Sequence, residues 1–571
     1  MSANCPIQGG EERKANAINN HKNATESGGD EACDVIDYNN LSNDLENLWL
    51  SEEYSDVIFI TDDGIRISAH RIILATRSRY FKSLLFNGMK ESCSKDIKLV
   101  DTNSDALRVM IQYCYCGRVN LKKLEHDTLL ECLGLAHRYE LLNMMESISD
   151  YLKLIINTQN LCAIMNTAQF YSLFDLVEYC LSFCDEHASQ LLQLPAFVQL
   201  SSDSLCQLLM RNSFYAPEID IFYAVQNWSK ANSADAKSLQ SLLNCVRLTL
   251  ISQKELLENV RSTKLISAED LLDAISIQTG NREAINFRGL KKVDINLATT
   301  QNTGYSLQWI VNGQPTKQRS IEKGTDAFFI DLGKHHIINM IEIEFYHASE
   351  IPNFYYKIET SVEEGGQWKR VVDYSSYPCK RQQVIYFEEH VMRYIRIEKA
   401  DEHFPRLVAK CVQMQYSSNP MPIDPTTGLI IPRQNVLKAS KDAVVIEGIS
   451  RSKNALINGE VNNYDWDTGY TCHSIGNGSI IVELPQPYLL SSMRMLLWEL
   501  DDRNYSYKID VSTDNNTWTT VIDKSQEKCR GWQDLSFDPI PTTFIKLVGT
   551  RNSSNEVFHV VHLEAPSSTF L

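Results

Sequence analysis

The chain has 571 residues, too many for one hydrophobic core, so about three to five domains are expected. A hydrophobic share of 43% with 22% charged residues is ordinary for folded protein. The formal net charge of −17 argues against a general nucleic-acid or anionic-membrane binder, since both need clustered Lys and Arg.

Residues 1–40 read as a polar, disordered leader without the apolar run of a signal peptide. No later stretch is long and uncharged enough to span a bilayer. The 15 cysteines are odd in number and scattered through apolar segments, as reduced core thiols are. A cytoplasmic protein is expected, in which the sequons at Asn477 and Asn515 carry no weight.

From about residue 50, "SDVIFIT" reads as a strand. "RISAHRIILATRSRYFKSLL" passes from a short strand into one amphipathic helix with Leu74, Phe81 and Leu85 on a shared face. "DIKLVD" is a further strand, and "SDALRVMIQYCYCG" and "DTLLECLGLAHRYELLNMMESISDYL" are helices with Ser or Asp at their starts. Between about 155 and 280 only helical periodicity appears, which predicts an antiparallel helical array with short connections. After about 285 the period changes to two: "AFFIDLG", "INMIEIEFYHA", "YYKIETSV" and "YIRIEKA" are strands bounded by turn residues. The Pro-rich "NPMPIDPTTG" reads as a linker, after which the strand texture returns.

It returns as a repeat. Trp368 and Trp518, Cys379 and Cys529, Phe387 and Phe537, and Tyr394 and Phe544 pair at one constant offset, and "VNG" at 311–313 answers "ING" at 457–459. Two copies of one all-β sandwich domain in tandem are expected.

Local motifs connect these textures to known families. "SDVIFI", "AHRIILATRSRYFKSLLFNGMKES", "DIKLVD" and "YCYCGRV" resemble the BTB/POZ domain in order and spacing. "FYAPEIDIFYAVQNWSKAN" and "VRLTLISQKELLENV" resemble a BACK domain, and the β repeats resemble discoidin (factor V/VIII type C) domains. The fold class implied is multidomain: an α/β BTB/POZ domain over 46–153, an all-α BACK array over 155–280, and all-β discoidin-like jelly-roll sandwiches over 286–417 and 429–566, joined by a linker at 418–428. Secreted discoidin domains usually tie their ends with a disulfide. Here Cys379, Cys411, Cys472 and Cys529 are internal, in keeping with reduced, intracellular versions.

The BTB resemblance implies that Met89, Lys90 and Glu91 contact cullin-3. A thioether fills an imperfect groove and a carboxylate adds a directional hydrogen bond, while the bland alternative is a solvated helix end. The same resemblance places Asp56, His70 and Arg71 in the BTB dimer region or core, with packing within the monomer the simpler role for His70. Cys114 with Cys116, and Cys180 with Cys184 and His187, invite a metal reading. No second pair stands at matching spacing, so core thiols are expected.

"YDWDTGYTCH", residues 464–473, packs carboxylates, an indole, a thiol and an imidazole together and is open to catalytic, metal-binding or contact readings. No "GxSxG", "HExxH" or Walker loop occurs, and "GNGS" opens a strand rather than a helix. The discoidin resemblance places this segment in a ligand-facing loop, with Tyr464, Trp466 and Tyr470 stacking on a partner and Asp465 and Asp467 accepting hydrogen bonds. Those acids with backbone carbonyls also suit Ca²⁺, and a core Trp466 with solvated acids is the plain alternative. Asp501, Asp502 and Arg503 in "WELDDRNYSY" form the neighbouring loop. The corresponding stretch of the first repeat, "VNGQPTKQRSIEKGT", lacks the cluster and is basic.

A contact surface without catalytic residues, metal or cofactor is therefore expected. The resemblances together imply a non-enzymatic homodimeric adaptor that recruits cullin-3 through its BTB domain and a protein substrate through its discoidin-like pair. The alternative is a cytoplasmic scaffold clustering protein or lipid partners without a cullin. No nucleic-acid partner and no transmembrane segment are expected.

Overall fold

The computed structural model describes residues 41–88, 90–280, 282–297, 327–345, 353–400 and 409–569. The polar leader, Met89, and the "VNG" turn of the first repeat with its basic continuation lie outside the described residues. The chain divides into two compact units, Met1–Tyr151 and Leu152–Leu571.

The first unit holds α1 (Leu41–Ser51), β1 (Val57–Ile60), β2 (Arg66–Ala69), α2 (Arg71–Arg77), α3 (Arg79–Phe86), β3 (Asp96–Lys98), α4 (Ser104–Cys116), α5 (His126–Arg138) and the larger part of α6 (Leu142–Ile155), whose last residues begin the second unit. β1 is central, antiparallel to β2 and parallel to β3. Its alternation places Val57 and Phe59 fully inside, each such side chain contributing roughly 1.5–3 kcal/mol. Phe59 meets Phe81 at 5.6 Å between ring centroids, and Phe81 stacks on Tyr139 at 4.6 Å.

One helix was expected across 71–86, and two are found. Ser78 takes an extended backbone (φ −132°, ψ 127°), its Oγ accepts the Phe81 N–H that starts α3, and its hydroxyl donates to the Tyr139 carbonyl at 2.7 Å. A capping side chain that also bonds a distant carbonyl outweighs the continuous helical pattern. Leu74, Phe81 and Leu85 are nonetheless all buried. α4 is capped by Asn103, whose Oδ1 accepts the Asp105 and Ala106 N–H groups, and it ends at Gly117 in the left-handed region (φ 67°).

The second unit opens with helices α7 (Leu161–Phe170), α8 (Phe174–Glu186), α9 (Ala188–Leu191), α10 (Ser202–Met210), α11 (Glu218–Asn232), α12 (Ala236–Leu243), α13 (Gln253–Glu255) and α14 (Ala268–Thr279). Two sheets follow. The first holds β4 (Leu290–Lys291), β5 (Ala327–Phe345), β6 (Phe354–Ser361), β7 (Lys369–Cys379), β8 (Gln382–Lys399) and β9 (Ala409–Gln415). The second holds β10 (Val444–Glu447), β11 (Thr471–Ser474), β12 (Ile480–Leu497), β13 (Tyr505–Ser512), β14 (Thr519–Cys529), β15 (Trp532–Asn552) and β16 (Val557–Glu564).

The sheets carry the same path. The order β5-β8-β6-β7, with β9 on the far side of β5, is matched by β12-β15-β13-β14, with β16 on β12. Even the irregularities match: Phe354 faces Cys379 and Tyr356 faces Tyr374, as Tyr505 faces Cys529 and Tyr507 faces Lys524, each with a register shift between. Both copies also keep a cation over a tryptophan and beside an acid. Arg396 lies 4.6 Å from the Trp368 ring and pairs with Glu359, while Lys546 lies 4.0 Å from the Trp518 ring and 3.5 Å from Asp510.

The helices and both sheets are joined by buried polar contacts. Arg288, in the chain entering β4, is sealed against Glu218 at 2.9 Å and donates to the Leu209 and Arg211 carbonyls. Glu218 also accepts the Arg247 N–H at 2.7 Å. Gly289 passes so close to β5 that a Cβ there would lie 3.0 Å from the His336 carbonyl carbon. Between the sheets, Lys380 meets Glu483 at 2.6 Å, and the Gln486 amide both donates to and accepts from the Val384 backbone. The Pro-rich segment is ordered: Asp424 caps the turn at Thr427, Ile423 bridges Ile430, and Ile423 and Met421 pack on the first and second cores respectively.

Removing one partner from a buried ion pair leaves the other charge without compensation. Arg288→Met is accordingly expected to destabilise the protein by about 3 kcal/mol, with Glu218→Gln in the same background recovering much of the loss. Denaturant midpoints of the parent, each single variant and the double variant check this, and equal midpoints for parent and Arg288→Met would refute it.

Candidate functional site

Two places hold the candidate residues. In the first unit, Lys90 and Glu91 lie on a 3₁₀ turn, Lys90–Cys93, that follows α3; Met89 is outside the described residues. The turn is held by Arg71. Its guanidinium donates to the carbonyls of Leu85 (3.1 Å), Ser92 (2.9 Å), Glu91 (3.3 Å) and Ser94. A planar fork with five N–H donors can satisfy that many carbonyls, which an ammonium cannot. Asp56 is exposed and caps the start of α2, its Oδ1 accepting the Arg71 N–H at 2.8 Å. His70 is buried between chain segments: Nδ1 lies 2.6 Å from the Tyr115 hydroxyl and Nε2 2.6 Å from the Glu53 carbonyl. The structure thus shows His70 packing within one copy and Arg71 as the clasp of the turn carrying Lys90 and Glu91.

In the second unit, residues 464–473 separate into two parts. Cys472 and His473 belong to β11. The His473 Nδ1 lies 2.8 Å from the Ser474 carbonyl while Nε2 accepts the Gly549 N–H at 2.9 Å, so both ring nitrogens are engaged by backbone and the imidazole is neutral. Burial lowers its pKa further. Asp465 is a turn former, its Oδ1 accepting the N–H groups of Asp467 and Thr468. Gly469 is required here, because a Cβ would come within 2.5 Å of the Tyr464 Cβ. Asp467 pairs with Arg451.

The aromatics remain for contact. Trp498 is fully buried, and Trp466 lies on it at 4.0 Å between ring centroids while remaining 50% exposed. Tyr464 and Tyr470 each meet Trp498 edge-on at 5.6 Å, and His559 stands 5.0 Å from Tyr470. Arg503 reaches within 4.7 Å of the Trp466 ring and is fixed there by Asp501 through contacts of 2.7 and 2.6 Å. That guanidinium holds the Asp501 carboxyl below the usual carboxylate range. Asp502 stands apart, exposed and 3.4 Å from Arg530. Burial, and then the Arg503 charge, push the His559 imidazole down to about 4, so it is neutral at physiological pH. Trp466 is therefore a surface residue on a preorganised aromatic floor, suited to stacking on a partner's planar or apolar groups.

Sequence reasoning did not single out His559, Trp498 as the floor, or Arg451. The strand "VFHVVHLE" carried the first, since β11–β16 pairing sets His559 opposite Cys472. Among the described residues, no three His, Cys, Asp or Glu side chains gather as a metal-binding group.

Protein-family comparison matches a BTB/POZ domain over residues 45–155, a BACK (BTB And C-terminal Kelch) domain over 161–261 and an F5/8 type C domain over 437–563. BTB/POZ domain-containing protein 9 of Homo sapiens is 39% identical over 550 residues, covering 92% of this chain and 88% of the relative. The chain belongs to the BTB/POZ domain-containing protein 9 family. The Drosophila melanogaster member is 37% identical over 552 residues, covering 94% of this chain and 75% of its own length. Human Kelch-like protein 6 is 27% identical over 228 residues, 40% of this chain and 36% of that protein. The architecture is thus that of this family: an α/β BTB/POZ domain, a BACK helical array and C-terminal discoidin-like sheets, the second of them the F5/8 type C match. Among the described residues, no helix is long and apolar enough to cross a membrane.

Two outcomes follow from these geometries. Arg71→Ala is expected to loosen residues 86–94 while the sheet stays folded, read as faster amide hydrogen exchange confined to that segment; unchanged exchange would refute the clasp. For His559 the folded pKa lies below the ordinary 6.5, so the unfolded state binds more protons between pH 6.5 and about 4. Stability is full above pH 6.5 and falls by about 3 kcal/mol as pH drops through that window. His559→Gln should flatten this part of the pH–stability curve in urea titrations, and a curve of undiminished slope would count against it.

Proposed function

We propose that this protein is a non-enzymatic, dimeric substrate adaptor of a cullin-3 ubiquitin ligase acting in the cytoplasm. The observation that carries the reading is the succession of BTB/POZ and BACK domains, shared with Kelch-like proteins, ahead of an F5/8 type C domain in one chain. In this reading Met89, Lys90 and Glu91 contact cullin-3, the latter two from the turn that Arg71 holds. The thioether supplies adaptable apolar contact and the carboxylate a directional hydrogen bond, an anchor worth about 2 kcal/mol. The BTB domain self-associates through the region of Asp56 and Arg71. The discoidin-like pair takes the substrate protein, with Trp466, Tyr464, Tyr470 and Arg503 as its contact surface. Two tethered copies raise apparent substrate affinity through effective concentration rather than through new contacts.

The competing reading is a BTB scaffold that clusters protein or lipid partners with no cullin. Calorimetric titration of the full chain with the N-terminal region of cullin-3 separates the two. Tight binding is expected for the parent, weakened at least about thirtyfold in the Met89→Asp, Glu91→Ala variant. A folded parent that releases no heat and forms no complex would leave the scaffold reading standing instead.

A further inference from the structure

Two thiols outside the surfaces described above lie almost in contact. Cys206 is on α10 and Cys245 follows the end of α12, and their sulfurs are 3.6 Å apart although the residues are 39 positions apart in sequence. Both are only partly buried, unlike Cys162, Cys180 and Cys184, which are sealed in the helical core. A disulfide needs about 2.05 Å between sulfurs, and the chain segments that carry the two thiols are already held together by the packing of α10 on α12.

We infer that Cys206 and Cys245 form a reversible redox pair that, when oxidised to a disulfide, braces the joint between the helical array and the first β sheet. The location supports the second half of that statement. The Cys245 carbonyl accepts from Arg288 Nη2 at 3.3 Å, and the carbonyl of Leu209, one turn beyond Cys206, accepts from Arg288 Nη1 at 2.9 Å. Each thiol therefore sits on a segment that holds Arg288, and linking the segments keeps them from separating. Closing a loop of this length also restricts the unfolded chain.

The oxidant is a small-molecule disulfide of the glutathione type. Cys206 attacks first. Burial, and then the adjacent Cys206 sulfur, raise the Cys245 pKa to about 11, and its S–H donates to the Ser241 carbonyl at 3.4 Å, so it rests as a thiol. The Cys206 thiolate displaces one glutathione thiolate, which takes up the proton Cys206 lost, and a mixed disulfide forms. The Cys245 thiolate then attacks the Cys206 sulfur, the mixed bond breaks, and the second glutathione leaves with the Cys245 proton. Two protein thiols are oxidised and one external disulfide is reduced.

The test uses the full-length, fully reduced protein equilibrated with glutathione disulfide, then alkylated and digested without reduction for mass spectrometry. A peptide linking Cys206 to Cys245 is expected, together with a melting temperature raised by a few degrees that returns on adding dithiothreitol. Cys245→Ser should trap glutathione on Cys206, which identifies the attacking sulfur. Exposed Cys93 reports that the oxidant is active. Glutathionylation of Cys93 with Cys206 and Cys245 both recovered as free alkylated thiols would overturn the proposal, as would separate glutathione adducts on both without a link. These readings need neither cullin-3 nor a substrate, so they stand or fall apart from the adaptor reading.

Discussion

The joint between the helical array and the first sheet is built around one buried charge pair. Arg288 and Glu218 are almost completely withdrawn from water, and desolvating two ions costs several kcal/mol before their attraction returns anything. The joint tolerates this because no donor or acceptor is wasted. The guanidinium reaches the two carboxylate oxygens and three backbone carbonyls, and the same carboxylate receives the Arg247 N–H. A hydrophobic contact of equal volume would hold the segments together without dictating their orientation. Directional bonds to carbonyls on α10, after α10 and after α12 permit only one.

The two sheets repeat that logic. The Gln486 amide is wholly buried and can satisfy itself only by pairing with the Val384 backbone in the other sheet, and Lys380 with Glu483 closes the same seam. Side chains cross it as well, with Tyr386 on the second core and Leu489 on the first. Polar groups that are paired only across a seam resist its opening, because separation strands them unless water enters. The β pair therefore presents its loops as one body, and Trp466 stands at a fixed position relative to the first sheet.

How much of this could be read in the chain follows the range of each interaction. The duplication was legible because strand alternation is local and the paired Trp, Cys and aromatic positions recur at one offset. The division into mixed, helical and all-β segments was legible for the same reason, since periodicity is a property of neighbours. Ser78 was not, because its break depends on a bond to Tyr139, 61 positions away. Neither was the Arg71 clasp, for side-chain identity alone does not reveal that a fork will reach back to carbonyls of a later turn. The stretch at 464–473 reads as a contact loop rather than a reactive one, but what occupies its polar groups was not legible: Asp465 is taken up by its own turn and both nitrogens of His473 by backbone.

That occupation gives the aromatic surface its character. The nearer histidine, His559, is kept neutral by burial and by the Arg503 charge, with Nδ1 3.3 Å from the Tyr505 hydroxyl, so it adds no charge beneath the aromatic face. Arg503 is in turn fixed by Asp501, so the charge beside Trp466 is compensated and held still. The exposed indole rests on a buried one and is flanked by two tyrosines, which gives it a rigid apolar face with a polar rim. Such a face loses little conformational entropy on binding, the condition under which one or two aromatic residues can dominate an interface. The acids at its rim, Asp502 and Asp467, already have arginine partners at Arg530 and Arg451, so the face itself offers shape and stacking rather than free charge.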